Sequence, residues 1–317
     1  LAELESPAFL WSFLYFFLLL TAYYVLRPVR DALGSTQNLQ WLFSGTFVVM
    51  LLLQPIYGAL VSRFPRRVFL PVVYAVFIAC LGFFYWAFHY DFGWRSAAFF
   101  IWVAVFNLFA VSVFWSYMAD VFRNEDARRL YGYIGVGGTL GGFLGPIITR
   151  SLVNQVGVAN LLLVSASLLT LCLLCIVKLA PFARAREIER NGHDDEQAMG
   201  GSILAGLRLI WQRPLLRAMA ALMFFGVGVG TLLYNEQAAI ARTAFDTAEA
   251  RTSYYAMIDL AINLTTISVQ MLLTRYLLLR FGIAPLLLIP AGLILLGYCI
   301  LAAAPLPMLV AIVQVLT

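Results

Sequence analysis

The stretch that decides the fold runs from residue 9 to residue 34 and reads FLWSFLYFFLLLTAYYVLRPVRDALG. Its first eighteen residues are almost wholly apolar, which is the length that a helix needs to cross a bilayer. Two arginines and an aspartate follow within five positions. On a continuing helix, residues three and four apart are neighbours. One face of that helix therefore carries Tyr23, Arg27, Arg30 and Asp31.

This charged face has two interpretations. In the first, the arginines reach from the end of a membrane span to the interface, and Arg27 and Asp31 form a local ion pair. In the second, the arginines form a cationic wall of a solute cavity, because lipid solvates charge poorly and charges in spans face protein or water. The rest of the sequence has to decide between them.

The composition indicates an integral membrane protein. The chain has 317 residues, of which 62% are hydrophobic and 12% charged, and its mean hydropathy is +0.88. Soluble domains carry about 25% charged residues. The net charge of +5 is explained by arginines in short loops and does not point to a nucleic-acid partner. The chain begins without Met and stops inside an apolar run, so we expect a fragment whose first span is a retained helix.

The apolar runs predict nine spans and the start of a tenth at Pro305. We place the nine at 9–26, 42–61, 68–88, 97–119, 131–151, 158–179, 215–234, 254–273 and 283–304. Six spans precede the longest polar segment. This layout predicts an all-α membrane protein, a major facilitator-like bundle of two six-helix halves around a central cavity. The predicted parts are an N-terminal half (1–180), a linker (181–206) and an incomplete C-terminal half holding helices 7–10 (207–317).

The basic residues predict the orientation of these spans. Loops on the side of the linker hold fifteen of the lysines and arginines, and loops on the other side hold six. Because cytoplasmic loops are enriched in Lys and Arg, we expect the N-terminus and the linker to be cytoplasmic. The membrane would be the bacterial inner membrane.

Two segments match signatures of the major facilitator proteins. The connection after the second span resembles the loop signature G-x3-D-R-x-G-R-R/K, in which Ser62 replaces the Asp and Pro65 the second Gly. The fifth span resembles the antiporter signature G-x8-G-x3-G-P, and its glycines recur every four residues, a spacing that lets helix backbones approach closely. We assign gating and packing roles to Gly58, Arg63, Arg66, Arg67, Gly137, Gly141, Gly145 and Pro146.

Two spans carry a polar stripe at helical spacing. In the eighth span the stripe holds an ionisable residue, Asp259, together with Asn263 and Thr266, and in the fourth it includes Asn107. Polar side chains in spans face the bundle interior or a water-filled cavity. Hydrogen bonding between helices is the alternative role for these residues, and it suits the fourth span best.

The run Tyr24-Val25-Leu26-Arg27-Pro28-Val29-Arg30-Asp31 resembles the first-helix motif of the ATP/ADP translocases of plastids and intracellular bacteria. The resemblance places Arg30 where that family has a substrate-binding Lys, and it equates the seventh-helix Glu of the family with Glu236. In the fourth helix, Val113 stands where the classical exchangers have a Glu. The resemblance implies alternating access and an anionic substrate.

The leading hypothesis is a secondary active transporter, an antiporter of nucleotides or another phosphorylated or organic anion. The substrate-binding residues would be Tyr23, Arg27, Arg30, Asp31, Asn107, Glu236, Asp259, Asn263 and Thr266. Guanidinium is well shaped for phosphate oxygens, and Tyr23 or another aromatic residue would stack on a base. We expect no metal and no cofactor. The sequence leaves the oligomeric state of the carrier in the bilayer open and favours a monomer.

A lipid-handling or non-transporting membrane scaffold on the same fold is the alternative. An enzyme is not indicated, because no nucleophile–base pair or metal-ligand set occurs at usable spacing.

Overall fold

The structure, a computed structural model, describes residues 2–63, 66–90, 92–122, 124–191 and 210–269, with the isolated positions 292, 296–297 and 299. Seven helices make up this part of the chain. They are α1 (Ala2–Gly34), α2 (Leu39–Arg63), α3 (Arg66–His89), α4 (Arg95–Val121), α5 (Asn124–Asn191), α6 (Pro214–Ala244) and α7 (Ala248–Val269). The predicted all-α class is confirmed.

In the part of the chain that the structure describes, five stretches are long and apolar enough to cross a membrane. Within the described residues these are Pro7–Gly34, Phe69–His89, Arg95–Val121, Leu130–Ile188 and Pro214–Ala244, and Leu39–Pro55 is a shorter apolar helix. The prediction of two six-helix halves and of nine to ten spans stays a prediction. The predicted spans at 283–304 and from Pro305 onward lie outside the continuously described residues.

Helix α5 contains a break at Gly157, whose backbone has φ 78° and ψ 167°. This conformation is essentially restricted to glycine, because a Cβ would clash with the backbone. The break lies between the predicted fifth and sixth spans, 131–151 and 158–179, so α5 is two helical segments joined at one residue.

Several helices extend beyond their predicted ends. Helix α5 runs through the first part of the predicted linker to Asn191, and residues 192–206 of the linker lie outside the described part. Helix α6 does not end at residue 234 but continues to Ala244. The extra turns are held because Gln237, Ala238 and Ala241 are buried. Helix α1 likewise continues past residue 26 to Gly34, so its charged residues lie within a helix.

Helix α1 lies at the centre of the described bundle and makes its most extensive contact with α5. Buried hydroxyl groups of α5 donate to backbone oxygens of α1: Thr149 Oγ1 lies 3.2 Å from Val25 O, and Ser165 Oγ lies 3.0 Å from Ala22 O. On another face of α1, the Tyr15 hydroxyl donates a hydrogen bond to the Tyr74 hydroxyl, with 2.7 Å between the oxygens. These contacts fix α1 in depth and rotation.

Three glycines of α5 form what we call the glycine seam: Gly137, Gly141 and Gly145. A Cβ on Gly137 would lie 2.9 Å from Phe13 O, and one on Gly145 would lie 2.9 Å from Thr21 O. At Gly141 the nearest neighbours are also backbone atoms of α1. The seam therefore places the backbones of α1 and α5 in direct contact, and buried Pro146 directly follows it.

The loop signature falls on the α2–α3 connection. Gly58 and Arg63 belong to α2, and Arg66 and Arg67 begin α3. The contacts of these four side chains lie outside the described part of the structure.

Candidate functional site

The candidate site is built on the last two turns of α1, where the helix continues through Pro28. Proline has no backbone N–H, so the carbonyl of Tyr24 loses its helical hydrogen bond at this point. Arg27 and Arg30 flank the proline, and their side chains are 26% and 15% exposed. Both arginine side chains therefore lie mostly inside the protein.

Asp31 is buried, and its main ion-pair partner is Arg30. The Nη2 and Nε of Arg30 lie 2.6 Å and 2.8 Å from Asp31 Oδ1. The hydroxyl of Tyr234 in α6 donates to the same oxygen at 2.9 Å. The expected pair between Arg27 and Asp31 is loose, at 3.9 Å, because Arg27 turns toward another carboxylate.

That second carboxylate is Asp259 of α7. Arg27 Nη1 lies 3.1 Å from Asp259 Oδ1, which joins the first helix of the chain to the last described one. Asp259 is only 4% exposed, and its other oxygen, Oδ2, is buried without a hydrogen-bond partner in the described part of the structure. We call Arg27, Arg30, Asp31 and Asp259 the arginine–aspartate cluster.

Asn263 lies one turn after Asp259 and ties α7 to α5. Its Nδ2 donates to Gly142 O at 2.9 Å and to Asp259 O at 2.8 Å. The amide thus binds backbone rather than the Asp259 carboxylate. It fixes the position of α7 beside α1 and so holds Asp259 within reach of Arg27.

Aromatic rings cover both guanidinium groups. The Arg27 guanidinium lies 5.6 Å from the ring centre of Tyr24, and that of Arg30 lies 5.2 Å from Phe100. Phe43 packs edge-on against Phe100 and Tyr234, at 6.0 Å and 5.8 Å between ring centres. A cation is attracted to the face of an aromatic ring. The rings therefore stabilise the arginines in a site with little access to water.

A cavity of about 300 Å³ opens beside Arg30. Residues of four helices line it, from α1, α2, α4 and α6: Arg30, Phe43, Thr46, Phe100, Ala104, Val227, Gly230, Thr231 and Tyr234. A cation, three aromatic rings, one of them a tyrosine, and two threonines suit a small solute that has an anionic group and an apolar part.

The structure brings together only some of the predicted site residues. Arg27, Arg30, Asp31, Asp259 and Asn263 meet, and Tyr23 lies half-buried beside Tyr24, with ring centres 5.3 Å apart. Within the described residues, no contact joins Asn107, Glu236 or Thr266 to the cluster. Asn107 is half-buried on α4, and Glu236 and Thr266 are exposed.

Three functional candidates were missed by sequence reasoning: Tyr24, Phe100 and Tyr234. A signal for Tyr234 existed, because the end of the seventh span, Leu-Leu-Tyr-Asn-Glu, echoes that of the first. Glu236 was preferred through the family resemblance. Residues two apart on a helix point about 200° apart, so only one of them can face α1.

Comparison with known proteins identifies the family. The sequence model of the Major Facilitator Superfamily matches residues 8–317. The chain belongs to the major facilitator superfamily. A search of curated proteins found no match. As a major facilitator protein, it is a multi-pass integral membrane protein and a secondary transporter of small solutes.

We expect Tyr234→Phe to lower the thermal midpoint of this major facilitator protein in detergent. The change removes one hydrogen bond to a buried carboxylate, worth about 1.5–3 kcal/mol, and keeps the ring against Phe43. Tyr133→Phe is the matched control, because Tyr133 is exposed on α5 and should tolerate the change. Equal midpoints for both variants would show that the Tyr234–Asp31 bond does not stabilise the fold.

Proposed function

We propose that this major facilitator protein exchanges small anions, nucleotides or other phosphorylated or organic anions, by alternating access. The observation that supports this is the ion pair between Arg27 and Asp259. It joins α1 to α7 inside the protein, about one turn of α1 from Arg30, which lines the cavity. A solute anion that reaches Arg27 can compete with the carboxylate.

The arginines are the anion-binding groups in this proposal. Guanidinium presents a planar fork of N–H donors that matches phosphate and carboxylate oxygens. Arg30 lines the cavity, and its guanidinium is oriented by Asp31 on one side and Phe100 on the other. The resemblance to the first helix of the ATP/ADP translocases supports the same assignment, since Arg30 stands where that family has its substrate-binding Lys.

The carboxylates hold the arginines when no solute is bound. Asp259 occupies Arg27, and Asp31 occupies Arg30 while it accepts from Tyr234. A solute anion that binds Arg27 releases Asp259 and weakens the attachment of α7 to α1, while the Asn263 hydrogen bond to Gly142 O still joins α7 to α5. Solute binding and helix movement are thereby linked through one ion pair, as alternating access requires.

The loop signature and the glycine seam serve this movement in the proposal. The seam makes α1 and α5 one rigid body, and the antiporter-like spacing of its glycines supports exchange. Gly58, Arg63, Arg66 and Arg67 form the cytoplasmic latch between helices.

Counterflow in proteoliposomes tests the function directly. With radiolabelled ADP or inorganic phosphate outside and the unlabelled anion inside, the wild-type protein should accumulate label. Arg30→Lys should keep partial exchange, and Arg30→Ala should weaken apparent affinity by about ten- to hundred-fold, since a charge-assisted hydrogen bond contributes about 1.5–3 kcal/mol.

The control for this series is Arg150→Ala, because Arg150 is exposed on α5. It should exchange like the wild type. Equal rates for Arg30→Lys and Arg30→Ala at equal protein levels would end the claim that Arg30 binds the anion. A complete absence of exchange by the wild type would favour a lipid-handling or scaffolding role.

We also propose that the linker and the N-terminus face the cytoplasm of a bacterial inner membrane. In a variant without the four native cysteines, Gly192→Cys should then resist an impermeant thiol reagent in sealed right-side-out cells. Asp246→Cys, in the short connection between α6 and α7, should react rapidly. The reverse pattern of labelling would overturn the orientation.

A further inference from the structure

The arginine–aspartate cluster carries no net charge in this structure. It contains two guanidinium groups and two carboxylates within ion-pair distance of one another. All four are largely withdrawn from water, so their charges are weakly screened. Adding an anion to the cluster as it stands would create an excess negative charge in a buried site, which is unfavourable.

The two carboxylates differ in how firmly they are held. Asp31 has Arg30 at two short distances and the Tyr234 hydroxyl as a third donor. Asp259 has one close partner, Arg27, and its Oδ2 is buried without a partner among the described residues. Asn263 does not supply a hydrogen bond to the Asp259 carboxylate, because its amide donates to backbone oxygens. An anion that binds Arg27 therefore leaves Asp31 with its hydrogen-bond donors, whereas Asp259 loses its close ion-pair partner.

A buried carboxylate that loses its only cationic partner favours its neutral form. We propose that Asp259 takes up a proton when an anion binds Arg27, so that the carrier moves anions together with protons. The inference rests on the proposed anion transport and adds the coupling ion to it.

The proposed exchange balances in charge. Asp259 gains one proton from water and becomes a neutral acid, and Arg27 exchanges the carboxylate for the solute anion. With a singly charged anion the site returns to zero net charge. A proton gradient then drives anion accumulation, and with anion on both sides the same site supports exchange.

Among the titratable groups near Asp259, we assign the change in protonation to Asp259 itself. Helix α1 presents Arg27, Arg30, Asp31 and Tyr24 to it, α6 presents Tyr234 through Asp31, and its own helix carries buried Tyr255. The contact from α5 is the backbone oxygen of Gly142, through Asn263. Arginine keeps its charge and tyrosine its proton over the physiological range, while Asp31 keeps three donor contacts.

The test measures protons directly, with the purified full chain. Four probes are used: ADP, phenyl phosphate, inorganic phosphate and citrate. Counterflow in proteoliposomes first establishes which probes are carried. Each carried probe is then added to the protein in weakly buffered detergent solution containing a pH-sensitive dye. At mildly alkaline pH the wild type should take up at least one proton per anion bound, because all four probes carry more than one negative charge at this pH.

Asp259→Asn should abolish this proton uptake. Its apparent affinity at mildly alkaline pH should rise about tenfold, because no carboxylate competes for Arg27. Asp259→Glu, which keeps the carboxyl group, should still take up the proton. Asp246→Asn, which changes an exposed carboxylate between α6 and α7, should behave like the wild type.

The outcomes separate the two proposals. Counterflow without proton uptake, or proton uptake that persists in Asp259→Asn, overturns the coupling and leaves the transport proposal standing. Binding that requires sodium instead of a proton also overturns the coupling. The absence of counterflow with all four probes overturns both.

Discussion

Arg27→Ala is expected to abolish anion exchange and to destabilise the protein in the same step. The variant loses the guanidinium that we propose binds the anion, which should reduce apparent affinity by about hundred-fold or more. It also leaves Asp259, 4% exposed, without its ion-pair partner. Removing one member of a buried ion pair costs about 3–5 kcal/mol. Counterflow and the thermal midpoint in detergent measure the two effects.

The pH dependence and a double variant separate the two effects of Arg27→Ala. Its stability deficit should shrink as the pH falls, because a proton neutralises the isolated Asp259. Arg27→Gln combined with Asp259→Asn replaces the ion pair by two neutral amides and should recover stability without recovering exchange. If Arg27→Ala exchanges normally, the first interpretation of this face is correct: the arginines reach to the membrane interface, and the substrate site lies elsewhere.

Gly141→Leu is expected to prevent folding. A Cβ at Gly141 meets Phe17 O and lies 2.9 Å from Thr21 N, and both atoms belong to the backbone of α1. Overpacking in a core typically costs about 1–3 kcal/mol, and the cost is higher where only backbone can move aside. We expect little monodisperse protein after extraction from membranes, as measured by size-exclusion chromatography with fluorescence detection.

Gly135→Leu provides the matched control on the same helix. No atom lies within 4 Å of a Cβ at Gly135 among the neighbours considered, so the larger side chain has space. It should yield a normal elution peak. A normal peak for Gly141→Leu as well would mean that α1 and α5 can separate without loss of the fold.

The helical architecture and the glycine spacing were accessible from the sequence because both are local patterns. Apolar runs of membrane length predict helices, and small residues every four positions predict close packing. The stripe on α7 likewise placed Asp259 and Asn263 on one face. These predictions needed no knowledge of which helices are neighbours.

The sequence suggested Glu236 and Asp259 as partners of the two arginines, but local patterns could not assign Asp259 to Arg27, because that pairing depends on α1 and α7 meeting in space. Helix rotation explains the difference at Glu236, and position along the helix axis explains the difference at Thr266. Tyr234 faces Asp31, so Glu236, two residues later, faces away. Thr266 shares the stripe of Asp259, but it lies seven residues further along, about 10 Å at 1.5 Å per residue. Sequence spacing therefore identified the helix face that carries Asp259 but not which residues on that face lie level with the cluster.

The glycine seam has a consequence for a membrane that holds many copies of this protein. The seam fixes Arg27 to the body formed by α1 and α5, whereas Asp259 and Tyr234 belong to α7 and α6. Movement that parts these helices pulls opposite charges apart in surroundings of low polarity, unless a solute replaces the lost partner. If Arg27 and Asp259 act as proposed, we expect an unloaded copy to turn over slowly and to leak little. We then expect a cell that holds many copies to keep its gradients.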